Sequence, residues 1–260
     1  MTENKIKLIA CDLDGTLRPS ECSEIPDYNI AAVNRAKEAG ILFCPATGRT
    51  RHSCVGLLGE LMRDSYCITE NGGTVYSPEG RAIATREFDP VTAEEICRHI
   101  LSVRENEIMM TGDDTAFIRS SAVEFGRFLR DEIFEKTGTA ESSSQISVPL
   151  VKISAFCPDS SVMYEVLSPG WTERCNVTIA GDLWVDFTVA DKGTGITDLC
   201  ACLGISPDSV MAIGDNYNDI PMLEAAGYPV IMDSSPEDLK KRYPHSFATV
   251  AEAIDALLSQ

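Results

Sequence analysis

Two aspartates two residues apart, Asp12 and Asp14, stand where an apolar run, Ile6 to Cys11, gives way to Gly15. In an extended chain residues i and i+2 point to the same side. The spacing therefore predicts two carboxylates facing one site, with Gly15 turning the chain away behind them. Such a pair repels by roughly 4 kcal/mol at 4 Å in a medium of effective dielectric about 20, a cost that a bound cation or a shared proton offsets. Three more polar signatures follow: Thr47-Gly48, Lys192, and the pair Asp215 and Asp219. Four carboxylates in one cleft call for a divalent cation. Oxygen-only ligands select a hard ion, and Mg²⁺ takes one or two carboxylates with water and substrate phosphate. Thr47 supplies a hydroxyl and Gly48 lets a backbone amide come close, both suited to phosphate oxygens. Lys192 adds a point positive charge. A cation, a lysine and amide donors around a nucleophilic carboxylate are the parts that phosphoryl transfer needs, because charge builds on the equatorial oxygens. Each piece alone has a structural explanation: a turn, a solvated lysine at a helix start, a helix cap. Their joint order and spacing do not.

Bringing these residues together requires strands that end on one edge of a sheet. Residues 1–75 read as strand (Ile6 to Cys11), helix (Asp27 as N-cap, Gly40 at its end), strand (Ile41 to Cys44), helix (about Thr50 to Met62) and strand (Tyr66 to Thr69). That alternation implies a mostly parallel, doubly wound sheet, which places ligands at the carboxyl ends of its strands. Thr74–Tyr76 and Ala82–Thr85 read as a hairpin around Ser77-Pro-Glu-Gly80. The alternation resumes with a strand at Leu183 to Val189 and a helix opened by Asp191-Lys192 and closed by Gly204. A strand at Ser209 to Ile213, a helix with Pro221 in its first turn and Asp219 near its N-cap, a strand at Tyr228 to Met232 and a helix at Ala251 to Leu258 follow. Between these halves the order changes. Helices near Val91–Val103, Ala122–Lys136 and Ser160–Ser168 mix with strands near Ile108–Thr111, Ala116–Arg119, Leu150–Cys157 and Asn176–Ala180, which suggests an α+β insert. The low-complexity run Ala140-Glu-Ser-Ser-Ser-Gln reads as a mobile loop. The expected division is a core of residues 1–82 and 183–260 interrupted by an inserted domain of residues 83–182.

The 260 residues suffice for one large or two smaller domains. A net charge of −18 argues against nucleic acid or an anionic membrane surface as the main partner, while leaving room for a small anionic substrate in a locally positive site. The polar start Met1-Thr-Glu-Asn-Lys shows no secretory pattern, and no apolar run reaches the roughly 20 residues that span a bilayer. The expected location is the cytoplasm. The ten cysteines include no Cys-x-x-Cys pair, and the three histidines are far apart, so a zinc site is not expected. Reduced, buried cysteines acting as small hydrophobes fit a reducing compartment.

Asp12-Leu13-Asp14-Gly15-Thr16 resembles the DxDGT signature of the haloacid dehalogenase superfamily. Thr47-Gly48-Arg49 is similar to its second motif, Lys192 to its third, and Gly214-Asp215-Asn216-Tyr217-Asn218-Asp219 to its fourth. The GDxxND form, Thr-Gly-Arg and the large insert resemble the Cof-like sugar-phosphate phosphatases. The resemblance spans nearly the whole chain and implies a Rossmann-like core with an α/β cap over the substrate, Mg²⁺, and an aspartyl-phosphate intermediate. It makes Asp12 the nucleophile and Asp14 the general acid/base. Asp215, Asp12 and the Asp14 carbonyl would hold the metal, and Asp219 would support it through water. Asn218 would orient the phosphate, and Asn71-Gly72 matches the subgroup's Asn-Gly near the cap hinge. Asp14 argues against the dehalogenase branch, which lacks an aspartate there. Lys136 and Lys152, the insert's only lysines, show no motif for phosphonate hydrolysis. A phosphomutase of phosphomannomutase type and a non-catalytic phosphate-binding protein remain the alternatives. Arg119, Lys152, Asp113 and Asp114 are polar candidates for reading the substrate, His52 reads as a helix surface residue, and the oligomeric state is unreadable.

Overall fold

The computed structural model describes residues 6–259, so the polar start Met1–Lys5 lies outside the described residues. The chain begins β1 (Leu8–Cys11), α1 (Asp27–Glu38), β2 (Leu42–Pro45), α2 (Arg51–Leu58), β3 (Cys67–Thr69), β4 (Thr74–Tyr76) and β5 (Ala82–Thr85). It continues α3 (Pro90–Leu101), β6 (Glu107–Gly112), β7 (Thr115–Ile118), α4 (Val123–Asp131), β8 (Thr137–Thr139), β9 (Lys152–Phe156), α5 (Ser160–Leu167), β10 (Asn176–Ile179) and β11 (Trp184–Thr188). It ends α6 (Lys192–Leu203), β12 (Val210–Gly214), α7 (Ile220–Ala225), β13 (Tyr228–Met232), α8 (Glu237–Lys240), β14 (Ser246–Phe247) and α9 (Val250–Leu258). The residues fall into two units. One takes the chain to Thr47, Leu58–Ala84 and everything from Asp191 on; the other takes Gly48–Leu57 and Thr85–Ala190.

The first unit is the doubly wound α/β core. Its five-stranded sheet has the order β14-β13-β12-β1-β2 and is parallel throughout. β3 extends it through a parallel bridge, Ala46 to Ile68, and forms a small sheet with β4 and β5. β1 and β12 read as unbroken apolar runs because both faces of a parallel sheet are covered; every residue in them is buried. Burying a side chain such as Leu8 or Ile9 contributes about 1.5–3 kcal/mol. Helix α6 starts on an Asp191 cap that accepts from Thr194 N at 2.7 Å and stops at Gly204, whose φ of 64° is left-handed. The chain leaves β1 toward β2 on one side and β12 toward β13 on the other. The carboxyl ends of β1 and β12 therefore mark the point where the winding reverses, the usual ligand position in such sheets.

The second unit is the inserted α+β element. Its six strands run β10-β11-β9-β6-β7-β8, antiparallel except for β7 with β8. One face packs Ile108, Met110, Ile153, Val185 and Phe187 on α3 and α5. The other packs Met109, Ala116 and Ile118 on Phe125 and Leu129 of α4.

Several expectations need correcting. The strand placed in the core at Leu183 to Val189 is β11, antiparallel to β9 and β10 in the second unit. A five-residue apolar strand carries no signal of which sheet it joins. The segment Ala140–Gln145 is a tied turn: Ser143 Oγ donates to Glu94 at 2.6 Å, Glu141 N donates to Gln145 Oε1 at 2.8 Å, and Glu141 accepts from Ser120. The helix expected to reach Lys136 ends at Asp131, and Thr137–Thr139 forms β8. Asp27 is the first residue of α1, with Pro26 as its N-cap. Eight cysteines are buried, Cys22 is half-buried and Cys202 exposed, and all ten are free thiols. No described helix is long and apolar enough to cross a membrane.

Candidate active site

β1 and β12 are neighbours with Cys11 beside Ile213, and Asp12 N continues the ladder by donating to Ile213 O at 2.8 Å. Asp12 thus leaves β1 where Asp215 leaves β12. Gly15 turns between them at φ 96°, and a Cβ added there would meet Asp215 Oδ2 at 2.6 Å, so only glycine allows the approach. Lys192 is the first residue of α6. Its Nζ donates to Asp12 Oδ1 and, at 2.6 Å, to Asp219 Oδ1; all three side chains are buried. Asp219 Oδ2 accepts from the backbone N–H groups of Asp215 (2.9 Å) and Asn216 (3.0 Å), so one carboxylate anchors the lysine and shapes the loop that carries Asp215. Among the described residues, Asp12, Asp215 and Asp219 each offer a carboxylate oxygen within 4.8 Å of the others.

Burial pushes the Asp12 carboxyl well above the ordinary carboxylate range, and the Asp219 charge adds to the rise against the pull of Lys192. Burial also raises Asp215, opposed by the hydrogen bond from Thr16. Burial acts to lower Lys192, but Asp12 and Asp219 outweigh it and the net displacement is upward. An ammonium at the positive end of a helix is otherwise unfavourable, and here two carboxylates compensate. Two buried carboxylates and the half-buried Asp215 around one ammonium leave an excess of negative charge. A donor set made only of oxygens, with that excess, fits a hard divalent cation.

The other expected residues are distributed as follows. Asp14 lies past the end of β1, where alternation of sides no longer applies: Gly15 N donates to Arg18 O at 2.8 Å in a turn. Asp14 is not one of the three residues whose carboxylate oxygens gather within 4.8 Å of one another, and its partly exposed carboxylate pairs with Arg18 Nη2. Thr47 follows β2 at the same sheet edge, its N–H donating to Ile68 O and its carbonyl accepting from Asn71 N, both at 2.9 Å. Asn71 is left-handed at φ 54° beside a left-handed Glu70, backbone states that are strained for residues with a Cβ. Gly72 (φ 94°) touches the Asp191 backbone so closely that an added Cβ would lie 1.9 Å from Asp191 O. Asn218 is half-buried in the turn Tyr217–Asp219 ahead of α7. Asp219 gives that helix no side-chain cap; its carboxylate is spent on Lys192 and the loop.

Gly48 and Arg49 belong to the second unit. Arg49 Nη1 donates to Ser53 Oγ at 3.1 Å, and Gly48 O accepts from Lys152 Nζ. Of the polar candidates there, Asp113 and Asp114 form the left-handed turn between β6 and β7, and Arg119 pairs with Glu107 at 2.9 Å. His52 is exposed, and its backbone N–H donates to Asp114 Oδ1 at 2.7 Å. Sequence reasoning gave no role to Thr16, whose hydroxyl donates to Asp215 Oδ1 at 2.7 Å, or to Arg18. Thr16 lay inside the quoted motif. Arg18 carried no signal, because its pairing depends on the turn.

The haloacid dehalogenase-like hydrolase family profile matches residues 9–257. A 5-amino-6-(5-phospho-D-ribitylamino)uracil phosphatase of Bacillus subtilis is 27% identical over 289 residues, with 98% of this chain and 99% of that protein covered. A chloroplastic protein of Arabidopsis thaliana, named an endoribonuclease, is 28% identical over 257 residues. That match covers 91% of this chain, but the chain spans only 43% of that relative. Among solved structures, a haloacid dehalogenase-like hydrolase from Bacteroides thetaiotaomicron superposes with a TM-score of 0.81 at 25% identity, over 97% of this chain and 100% of that one. The motifs, the fold and the profile agree: the chain belongs to the haloacid dehalogenase-like hydrolase family.

Proposed function

We propose that the protein is a Mg²⁺-dependent phosphatase of a small phosphorylated metabolite, a sugar phosphate or similar polyol phosphate, working through an aspartyl-phosphate. The observation that carries this reading is the group of buried Asp12 and Asp219 and half-buried Asp215 around Lys192, negative in excess and open to an anionic substrate only if a cation joins it. Asp12 and Asp215 would hold the ion, with the Asp14 carbonyl, and Asp219 would support it. When bound, Mg²⁺ supplies positive charge to the phosphoryl oxygens and to the crowded carboxylates.

Asp12 is the attacking group in this reading, which is supported by its position at the end of a buried strand and by the hydrogen bond from Lys192 to one of its oxygens. Its other oxygen bonds to phosphorus while the bond from phosphorus to the leaving oxygen breaks. Asp14 delivers a proton to that oxygen, then takes one from the water that attacks the phosphoryl group and releases Asp12. Arg18 holds the Asp14 carboxylate in one orientation during both transfers. Lys192 offers its charge to the equatorial oxygens, and Thr47, Asn71, Gly72 and Asn218 supply hydroxyl and amide donors. The uracil phosphatase relative acts on a phosphorylated ribityl group by its name, which supports a polyol phosphate here. The test is release of free phosphate from a panel of phosphorylated metabolites. Turnover of one or more sugar phosphates above a small aryl phosphate is expected, and an inert panel with added Mg²⁺ would remove the reading.

A further inference from the structure

The loop that carries Asp14 is held from behind by a buried amide. Asn29 lies on α1 and is fully buried. Its Nδ2 donates to the carbonyl oxygen of Leu17 at 2.9 Å, and its Oδ1 accepts from Ala251 N at 3.0 Å. Ala251 stands in the first turn of α9, where backbone N–H groups have no partner within the helix. That N–H fills the acceptor end of the amide, so the donor end faces Leu17. The loop itself is closed by three backbone bonds. Leu17 N donates to Asp12 O at 3.2 Å, Arg18 N to Leu13 O at 2.8 Å, and Gly15 N to Arg18 O at 2.8 Å. Arg18 then pairs with the Asp14 carboxylate. All of these residues belong to the core unit.

The peptide joining Leu17 to Arg18 is planar and trans, so its C=O and N–H point in opposite directions. Asn29 holds the first and Leu13 O holds the second. The peptide is gripped at both ends, which fixes where the Arg18 side chain starts. A partly exposed pair such as Arg18–Asp14 holds its partners only loosely by itself. The buried amide is the firmer tie, because removing it leaves Leu17 O and Ala251 N without partners in the interior. We propose that Asn29 is a positioning residue: by holding the Leu17–Arg18 peptide it keeps Arg18 on the Asp14 carboxylate, and so keeps that carboxylate in the orientation its proton transfers use. This rests on the phosphatase reading, in which Asp14 hands a proton to the leaving oxygen. Asn29 then matters most for esters whose leaving group needs that proton.

The experiment follows the rate at which substrate phosphate labels the protein under rapid quench, with Mg²⁺ present. It uses an alkyl phosphate, whose leaving group is poor, and a nitrophenyl phosphate, whose leaving group is good. Asn29→Leu, close in size and without polar atoms, should slow labelling by the alkyl ester about tenfold and by the nitrophenyl ester less than about twofold. With Asp14→Asn already in place, adding Asn29→Leu should slow the alkyl ester no further. Equal slowing with both esters, or the full tenfold slowing on top of Asp14→Asn, would leave Asn29 a role in stability alone and overturn the proposal. So would a folded Asn29→Leu with unchanged rates. If Asn29→Leu does not fold, Asn29→Ser, smaller and still polar, takes its place, with the same outcomes at a smaller factor. If wild type is labelled by no ester, the phosphatase reading fails separately. Amide hydrogen exchange then decides whether Asn29 holds the loop. An Arg18 N–H that exchanges about tenfold faster in the variant, with the β1 amides unchanged, supports the hold. An Arg18 N–H that exchanges as in wild type, or that speeds up no more than the β1 amides, refutes it.

Discussion

Both units bury charge, but they balance it differently. In the core, among the described residues, Lys192 faces the group of Asp12, Asp215 and Asp219, and burial drives Asp12 and Asp215 toward their neutral forms. In the inserted unit, Lys152 and Arg49 lie against Asp186 and Glu135, two cations for two carboxylates, with Ser154 and Thr50 as extra donors. The balanced cluster satisfies itself. The unbalanced one is short by the charge of one divalent cation. The difference separates charge that positions a backbone from charge that awaits a ligand.

Removing the nucleophile should give the largest effect. Asp12→Asn is expected to lower phosphate release about a thousandfold or more and to abolish acid-stable labelling of the protein by substrate phosphate under rapid quench. The same substitution relieves the unbalanced cluster, so the melting temperature without metal should not fall. A phosphatase intermediate should decay to free phosphate in water, whereas preferential transfer to a sugar phosphate would favour the mutase alternative.

Next in size is Lys192→Met. It strands the buried carboxylates of Asp12 and Asp219 and should cost about 3–5 kcal/mol of stability in metal-free protein, read by urea unfolding, with a smaller loss when Mg²⁺ is present. A matching loss without metal from Asp186→Asn in the balanced cluster would blur the contrast. Gly72→Ala should follow, since its backbone is left-handed and abuts Asp191 O. A loss of about 2–4 kcal/mol by the same measurement is expected. Arg18→Ala comes last. The Arg18–Asp14 pair is partly exposed, so its effect on stability should stay below about 1 kcal/mol, while a several-fold fall in kcat would show that Arg18 orients Asp14.

The core was legible because buried parallel strands read as continuous apolar runs and because the polar residues stand just past their ends, as with Asp12, Thr47 and Asp215. The glycines at 15, 72 and 204 marked turns whose backbone is left-handed in the structure. The inserted unit was less legible. Short strands such as β8 and β11 show no periodicity that names their sheet, and the row Thr111–Lys152–Thr188 exists only through register. Asp14 shows the limit of the alternation rule. The ladder runs to Asp12, and three residues past the strand a turn and Arg18 decide where the Asp14 carboxylate points.

The most direct test of the central claim is phosphate release from a small aryl phosphate by protein stripped of metal, before and after metal is restored. The unbalanced cluster requires activity to vanish on chelation and to return with Mg²⁺, with Zn²⁺ a poor substitute. Full activity after exhaustive chelation would contradict the account.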